Sequence, residues 1–426
     1  MVCRRVITWL LALMIALTFT PPAYTEDAPA SQISGDQSGV TLRICFWNSV
    51  FNGLSTVLDE FYEETGISVE AIPVPADGGW AGYFGKLQAM IAANDIPDLI
   101  YIAIEGFQIF QKSGLIMPME PFFEKFPDAL PILNDLHPNI IAPYYADDQL
   151  WALTFEWNNV VTHINTNILN ERGLSMPDED WTWDEFVDMA KQMTYINDEG
   201  QQVYGVAVPD YYFALDSFLF SNNASILNED WTEAMIDSPE AIEVMQKMYD
   251  LIYVHKVAPI PPVNAQNAFI NDQIGMHFAG AWPLGGYYES GFREFDVQYP
   301  PKFQEKTIVL GGGLFLIMKD SQHQDEAFQL MLKMCSPEAQ SEVLGKGAIP
   351  SSIKAADAAV LTDDYPPNGI IYRTTADFAI PVESPPEYAE VQMIFDRYIS
   401  LIYADEMPVD EALRAAAAEI NSILGM

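Results

Sequence analysis

Apolar and polar positions alternate from Thr41 to Trp47, with Leu42, Ile44 and Phe46 on one face, a pattern that predicts a strand. Leu54, Val57, Leu58 and Phe61 then recur at helical spacing, and Gly66 stands where a left-handed cap would end that helix. Ile67–Val74 reads as a second strand, closed by Pro75 and Gly78-Gly79, and Phe84, Leu87 and Ile91 mark a second helix. Pro97-Asp98 introduces Leu99–Ile104, a continuous apolar run of the kind found in strands buried on both faces. Strand, helix, strand, helix, strand implies right-handed crossovers and a parallel sheet covered on both sides. The fold class expected is α/β.

Helix starts are explicit further on. Thr182-Trp183-Asp184-Glu185 has the form of a capping box, and Phe186, Val187, Met189 and Met193 follow it. Ser238-Pro239-Glu240 and Ser336-Pro337-Glu338 each place a serine cap, a proline at the first helical position and an acid at the positive dipole end. Val409, Leu413, Ala416, Ile420 and Ile423 form a terminal amphipathic helix that closes at Gly425. At the other end, Arg4-Arg5 precede the apolar stretch Val6–Thr20, then Pro21-Pro22 and small residues, the layout of a secretory signal over residues 1–25. Residues 26–39 read as a polar, flexible leader. No later stretch is long and apolar enough to span a bilayer. The expected product is exported and soluble, periplasmic or extracellular.

Charge narrows the choice of partners. The 426 residues carry 60 acids against 20 Lys and Arg, a formal net charge of −40, while half the chain is apolar. That much apolar content supports a large core. The negative field repels nucleic acid, anionic lipid and polyanionic substrates. It also suits a high-salt setting. Cys3 lies in the signal; Cys45 and Cys335 sit in separate apolar runs and are expected as buried thiols rather than a disulfide. CxxC, HExxH, GxSxG and phosphate-loop patterns are all missing, and the five histidines are scattered singly. Neither catalysis nor a metal or other cofactor is expected.

Several short segments, taken in order, carry a resemblance. Gly85–Ala92 followed by Asp95–Tyr101 is similar to the "KLQAAIAAGDAPDVVY" signature of the extracellular solute-binding proteins of ABC importers, in their carbohydrate-binding family. Gly114–Met119, Asp148–Leu153 with Trp157-Asn158, and Ile164–Leu169 with Gly173-Leu174 and Trp183–Phe186 resemble successive segments of the same family. So do Ile274–Met276 with Gly280-Ala281-Trp282, Ser336–Gln340, and Pro408–Leu413. Thr166 stands where the family usually has lysine, and Ala281 where it has proline. The resemblance implies a two-lobe periplasmic-binding-protein fold with a ligand cleft between discontinuous lobes. Residues 40–153 plus 300–352 would form the N-terminal lobe and 154–299 plus 353–426 the C-terminal lobe. It further implies a monomer that takes a sugar or oligosaccharide and passes it to the permease subunits of an ABC importer.

Sugar recognition needs flat aromatic faces for the pyranose C–H groups and planar amides or carboxylates for the hydroxyls. Trp47 and Asn48 end the first strand, and Glu105 follows the third. Trp157 and Asn158 lie past the expected lobe crossing, Tyr211 ends the Tyr204–Pro209 segment, and Trp282 belongs to the Gly280-Ala281-Trp282 motif. Gly312, within Gly311–Gly313, would let the backbone approach a ligand. These eight are the candidate ligand-binding residues. Each has a plainer alternative: packing for the aromatics, solvation for the acid, close strand contact for the glycine. Two other ligand classes stay open on this fold. Adjacent tyrosines (Tyr144-Tyr145, Tyr211-Tyr212, Tyr287-Tyr288) would suit ferric ion, and the acidic balance would suit a polyamine. A secreted glycoside hydrolase is a further alternative, since 60 acids can always hide a catalytic pair.

Overall fold

Strand patterning among the described residues resolves into two large sheets and a separate two-stranded one. A computed structural model describes residues 39–75, 79–344, 347–359 and 366–425, so the segment expected as a secretory signal and nearly all of the expected leader lie outside the described residues. The strands in chain order are β1 (Thr41–Trp47), β2 (Ser68–Val74), β3 (Leu99–Ala103), β4 (Tyr145–Ala146), β5 (Gln149–Leu150), β6 (Leu153–Asn158) and β7 (Val161–Asn165). They continue as β8 (Tyr195–Ile196), β9 (Gln202–Val206), β10 (Ile274–Ala279), β11 (Phe295–Gln298), β12 (Ile308–Ile317), β13 (Ile349–Pro350) and β14 (Ala379–Pro381).

The larger sheet runs β13-β6-β12-β3-β1-β2, with β14 also on β12. Its first three strands are parallel as expected, β1 registering along its whole length from Thr41↔Ser68 to Trp47↔Val74. Long-range pairing adds what patterning could not: β12 lies antiparallel to both β3 and β6, so the sheet is mixed. The apolar run Ile308–Leu310 does not stop at the glycines but continues through them to Ile317. The smaller sheet is β11-β7-β10-β9-β8. Its strand β9 starts and ends earlier than the Tyr204–Pro209 segment expected. Only Asn159 and Val160 separate β6 from β7, so the chain stays in the larger sheet as far as Asn158, five residues beyond the position expected for the crossing.

Local chemistry explains the helix ends. Gly66 (φ 74°) and Gly425 (φ 83°) take the left-handed conformation and donate back to Tyr62 and Asn421 carbonyls. The Thr182 hydroxyl accepts from the Glu185 amide while the Glu185 carboxylate accepts from the Thr182 amide at 2.7 Å, a reciprocal cap. Cys45 and Cys335 are buried free thiols; burial pushes Cys45 up to about 12 and Cys335 higher still. No helix among the described residues is long and apolar enough to cross a membrane.

Candidate functional site

Elements of both sheets meet around one cleft. Its first chamber encloses about 280 Å³ between Trp47, Trp80, Glu105, Glu156 and Asn158 on the larger-sheet side and Tyr211, Phe213 and Trp282 on the other. Gly311, Gly312, Tyr388 and Gln392 complete it. A second chamber of about 650 Å³ continues past Trp47, Trp80, Glu156 and Trp282 towards Tyr101, Phe155, Val343, Leu344, Gly347 and Ala348.

Strand geometry places these side chains. Trp47 is the last residue of β1, and its indole packs against Trp80, with ring centroids 4.1 Å apart at 68°. Tyr83 and Phe84 back that pair, so the platform is rigid. Glu105 lies in the short helical turn that follows β3. On β6, Glu156 and Asn158 point into the cleft. Side chains alternate across a strand, so Trp157 between them must face the other way. It does: Trp157 is 2 % exposed and packs in a core cluster with Ile140, Val161 and Tyr372. The expectation that Trp157 lines the cleft is therefore corrected, because a strand cannot send neighbouring residues to the same face.

Two close approaches explain the glycines of β12. A Cβ on Gly311 would meet the Phe213 ring at 2.7 Å, and one on Gly313 would lie 1.8 Å from the Tyr101 hydroxyl oxygen. Gly312 lines the chamber itself, opposite Trp157 in the β6 register. After β10, the Gly280 carbonyl accepts from the buried His163 Nε2 at 3.0 Å, and Gly280 has no room for a side chain beneath the Trp282 ring. Burial lowers His163 to about 4 and keeps it neutral. Trp282 itself is 40 % exposed, leaning on Phe213 at 6.3 Å with its remaining surface towards the cleft.

Electrostatics single out two carboxylates. Glu156 Oε1 accepts from the Tyr101 hydroxyl at 2.8 Å and Oε2 from the Asn158 amide at 2.9 Å. Burial nonetheless pushes Glu156 up to about 7, the Tyr101 bond only partly opposing it. Glu105 is raised to about 7 by burial, with its own backbone amide pulling down and the Glu156 charge pushing up. Among the described residues neither has a cationic partner, and no Lys, Arg or His lines either chamber.

Of the eight candidates, Trp47, Glu105, Asn158, Tyr211, Trp282 and Gly312 converge on the cleft. Asn48 opens the helix Asn48–Thr65, and its side chain lies outside the described ones. Trp80, Glu156, Phe213, Tyr388 and Gln392 were missed. Glu156 had a usable signal, an acid inside the otherwise apolar run Leu153–Trp157; Tyr388 and Gln392 had none, being ordinary positions of a helix distant in sequence. The tyrosine pairs do not build a site, because Tyr144, Tyr212 and Tyr287 are each sunk in the core. Among the described residues no group of three His, Cys, Asp or Glu could hold a metal ion.

Comparison with known proteins agrees with this geometry. The family model of the bacterial extracellular solute-binding proteins matches residues 56–367. A curated relative, the arabinooligosaccharide-binding protein of Halalkalibacterium halodurans, is 24 % identical over 326 residues, covering 70 % of this chain and 68 % of that protein. Among solved structures, a Listeria monocytogenes ABC substrate-binding protein in complex with cycloalternan superposes with a TM-score of 0.78 at 21 % identity, over 91 % of this chain and 99 % of that one. Maltose-bound MalE3 of T. maritima gives 0.75 at 20 % identity, over 90 % and 100 % of the two chains. At such identities the likeness is one of fold, and the fold is the expected two-lobe α/β architecture of the maltose-binding type.

Proposed function

The chain belongs to the bacterial extracellular solute-binding proteins, and from that premise we propose that it captures a sugar or oligosaccharide in its cleft and delivers it to the permease of an ABC importer. The observation that carries this reading is the pairing of aromatic faces from two sides, Trp47–Trp80 against Tyr211, Phe213 and Trp282, around carboxylate and amide groups. Such faces bury pyranose C–H surface while Glu105, Glu156, Asn158 and Gln392 take the hydroxyls. The names of the similar proteins, which bind arabinooligosaccharide, cycloalternan and maltose, point the same way.

The mechanism is capture and closure rather than turnover. A ligand that touches both lobes binds only the closed state fully, so it shifts the equilibrium by its differential affinity. We take the lobes to be residues 40–153 plus 300–352 and 154–299 plus 353–426; β6 past Leu153 and β14 of the second then join the larger sheet, which bridges the two. Residues 1–25 direct export, and the product works as a soluble monomer outside the cytoplasm. A thermal-shift screen of mono- and oligosaccharides tests this: a ligand at 100 times its Kd stabilises by about 2.7 kcal/mol, and calorimetry should then show binding without product. Stabilisation by ferric ion or a polyamine and by no saccharide would overturn the assignment, and product formation would point to a hydrolase.

A further inference from the structure

Indole, phenol and amide groups line the cleft, but among the described residues its only formally charged groups are the carboxylates Glu105 and Glu156. Glu105 is 7 % exposed, and among the described residues no other side chain donates to its carboxylate. Glu156 is 9 % exposed and already holds one donor on each oxygen, yet among the described residues no cation stands opposite its charge. The Asn158 Oδ1 is buried with no hydrogen-bond partner, its amide nitrogen being spent on Glu156. Around these acceptors stand six aromatic rings, Trp47, Trp80, Tyr211, Phe213, Trp282 and Tyr388, and, among the described residues, no basic side chain.

We propose that the ligand carries a protonated amine, the cleft being built for an amino sugar whose ammonium is held by Glu105, Glu156 and the Asn158 amide oxygen. This rests on the saccharide reading above and specifies its chemical class. An uncharged sugar closing the cleft would strip water from two carboxylates and return only neutral hydrogen bonds. Sequestering unpaired charges is costly, so closure over such a sugar would force proton uptake instead. An ammonium supplies three donors, no acceptor and the missing charge, and its bonds to carboxylate are roughly twice as strong as neutral ones. Aromatic faces favour the same cation, since the negative face of an indole attracts it within about 6 Å. Anionic sugars are disfavoured, since no described residue of either chamber supplies a cation to receive them.

Calorimetry at pH 7 on the mature chain with three disaccharides of matched rings tests the proposal: a glucosamine dimer with free amines, its N-acetylated form and a glucose dimer. The amine form should bind at least tenfold more tightly than either other. The advantage should shrink towards onefold in Glu105→Gln and Glu156→Gln, which keep size and acceptor oxygen but lose charge. A glucose dimer that binds as tightly as the amine form overturns the proposal and leaves saccharide capture standing. An advantage that persists in both variants overturns the assignment of these carboxylates. Binding by none of the three, with iron or a polyamine bound instead, overturns the saccharide reading as well.

Discussion

Two tryptophans, Trp157 and Trp282, separate packing from recognition, and replacing each with alanine should have opposite consequences. Trp157 is 2 % exposed, so its loss leaves a core cavity; substitutions of this kind cost about 3–5 kcal/mol. Spread over a folded unit of about 390 residues at ~2.1 cal/mol/K per residue, that is a fall in Tm of roughly 4–6 °C. Trp282 is 40 % exposed, so its removal barely touches stability. A buried aromatic side chain covers about 150–250 Å², and the uncovered share of Trp282 leaves about 60–100 Å² for a ligand. At ~25 cal/mol per Å² this is about 2 kcal/mol, or roughly a 30-fold loss of affinity. Differential scanning calorimetry and titration calorimetry on Trp157→Ala and Trp282→Ala read the two effects independently. Should Trp157→Ala weaken binding 30-fold while keeping its melting temperature, the strand alternation that places the site on one face of β6 would be wrong.

Three further outcomes follow from the same geometry. Glu105 in the native chain is raised from 4.5 to about 7, so between those values the native state holds a proton the unfolded chain has lost. Stability therefore falls as pH rises from about 4.5 to about 7. Glu105→Gln should remove that loss, gaining up to about 3 kcal/mol at pH 8 and nothing at pH 4; equal gains at both pH values would refute the burial argument. Gly313→Ala would press its Cβ against the Tyr101 hydroxyl and Glu156, costing ~2–4 kcal/mol in urea unfolding by overpacking and by breaking the Tyr101–Glu156 bond. An unchanged unfolding midpoint would show that β12 has slack there. Finally, a formal charge of −40 repels itself in the compact state, and screening shortens from about 10 Å at 0.1 M salt to about 3 Å at 1 M. Tm should climb by several degrees between those salt concentrations, and a flat profile would remove self-repulsion as a factor.

Much of this molecule was legible as one-dimensional pattern. β1, the Gly66 and Gly425 caps, the Thr182–Glu185 box and the terminal helix depend on residues at most a few positions apart, where propensity and hydrogen bonding act locally. The order of short segments likewise carried the two-lobe architecture; strand ends and the loops after them located Trp47, Glu105 and Tyr211 at the cleft, and the family-like Gly280-Ala281-Trp282 segment located Trp282. What escaped required distance. Whether β12 runs antiparallel between β3 and β6, how far β6 keeps to the larger sheet, and which face of it carries Trp157 are settled by pairing between segments far apart in the sequence. Tyr388 and Gln392 reach the cleft from a helix that no local signal ties to it. The acidity of Glu105 and Glu156 is likewise a tertiary property, because only packing strips their water and withholds a cation. Local chemistry writes the elements, while desolvation and facing direction, which make a site from them, exist only once distant segments meet.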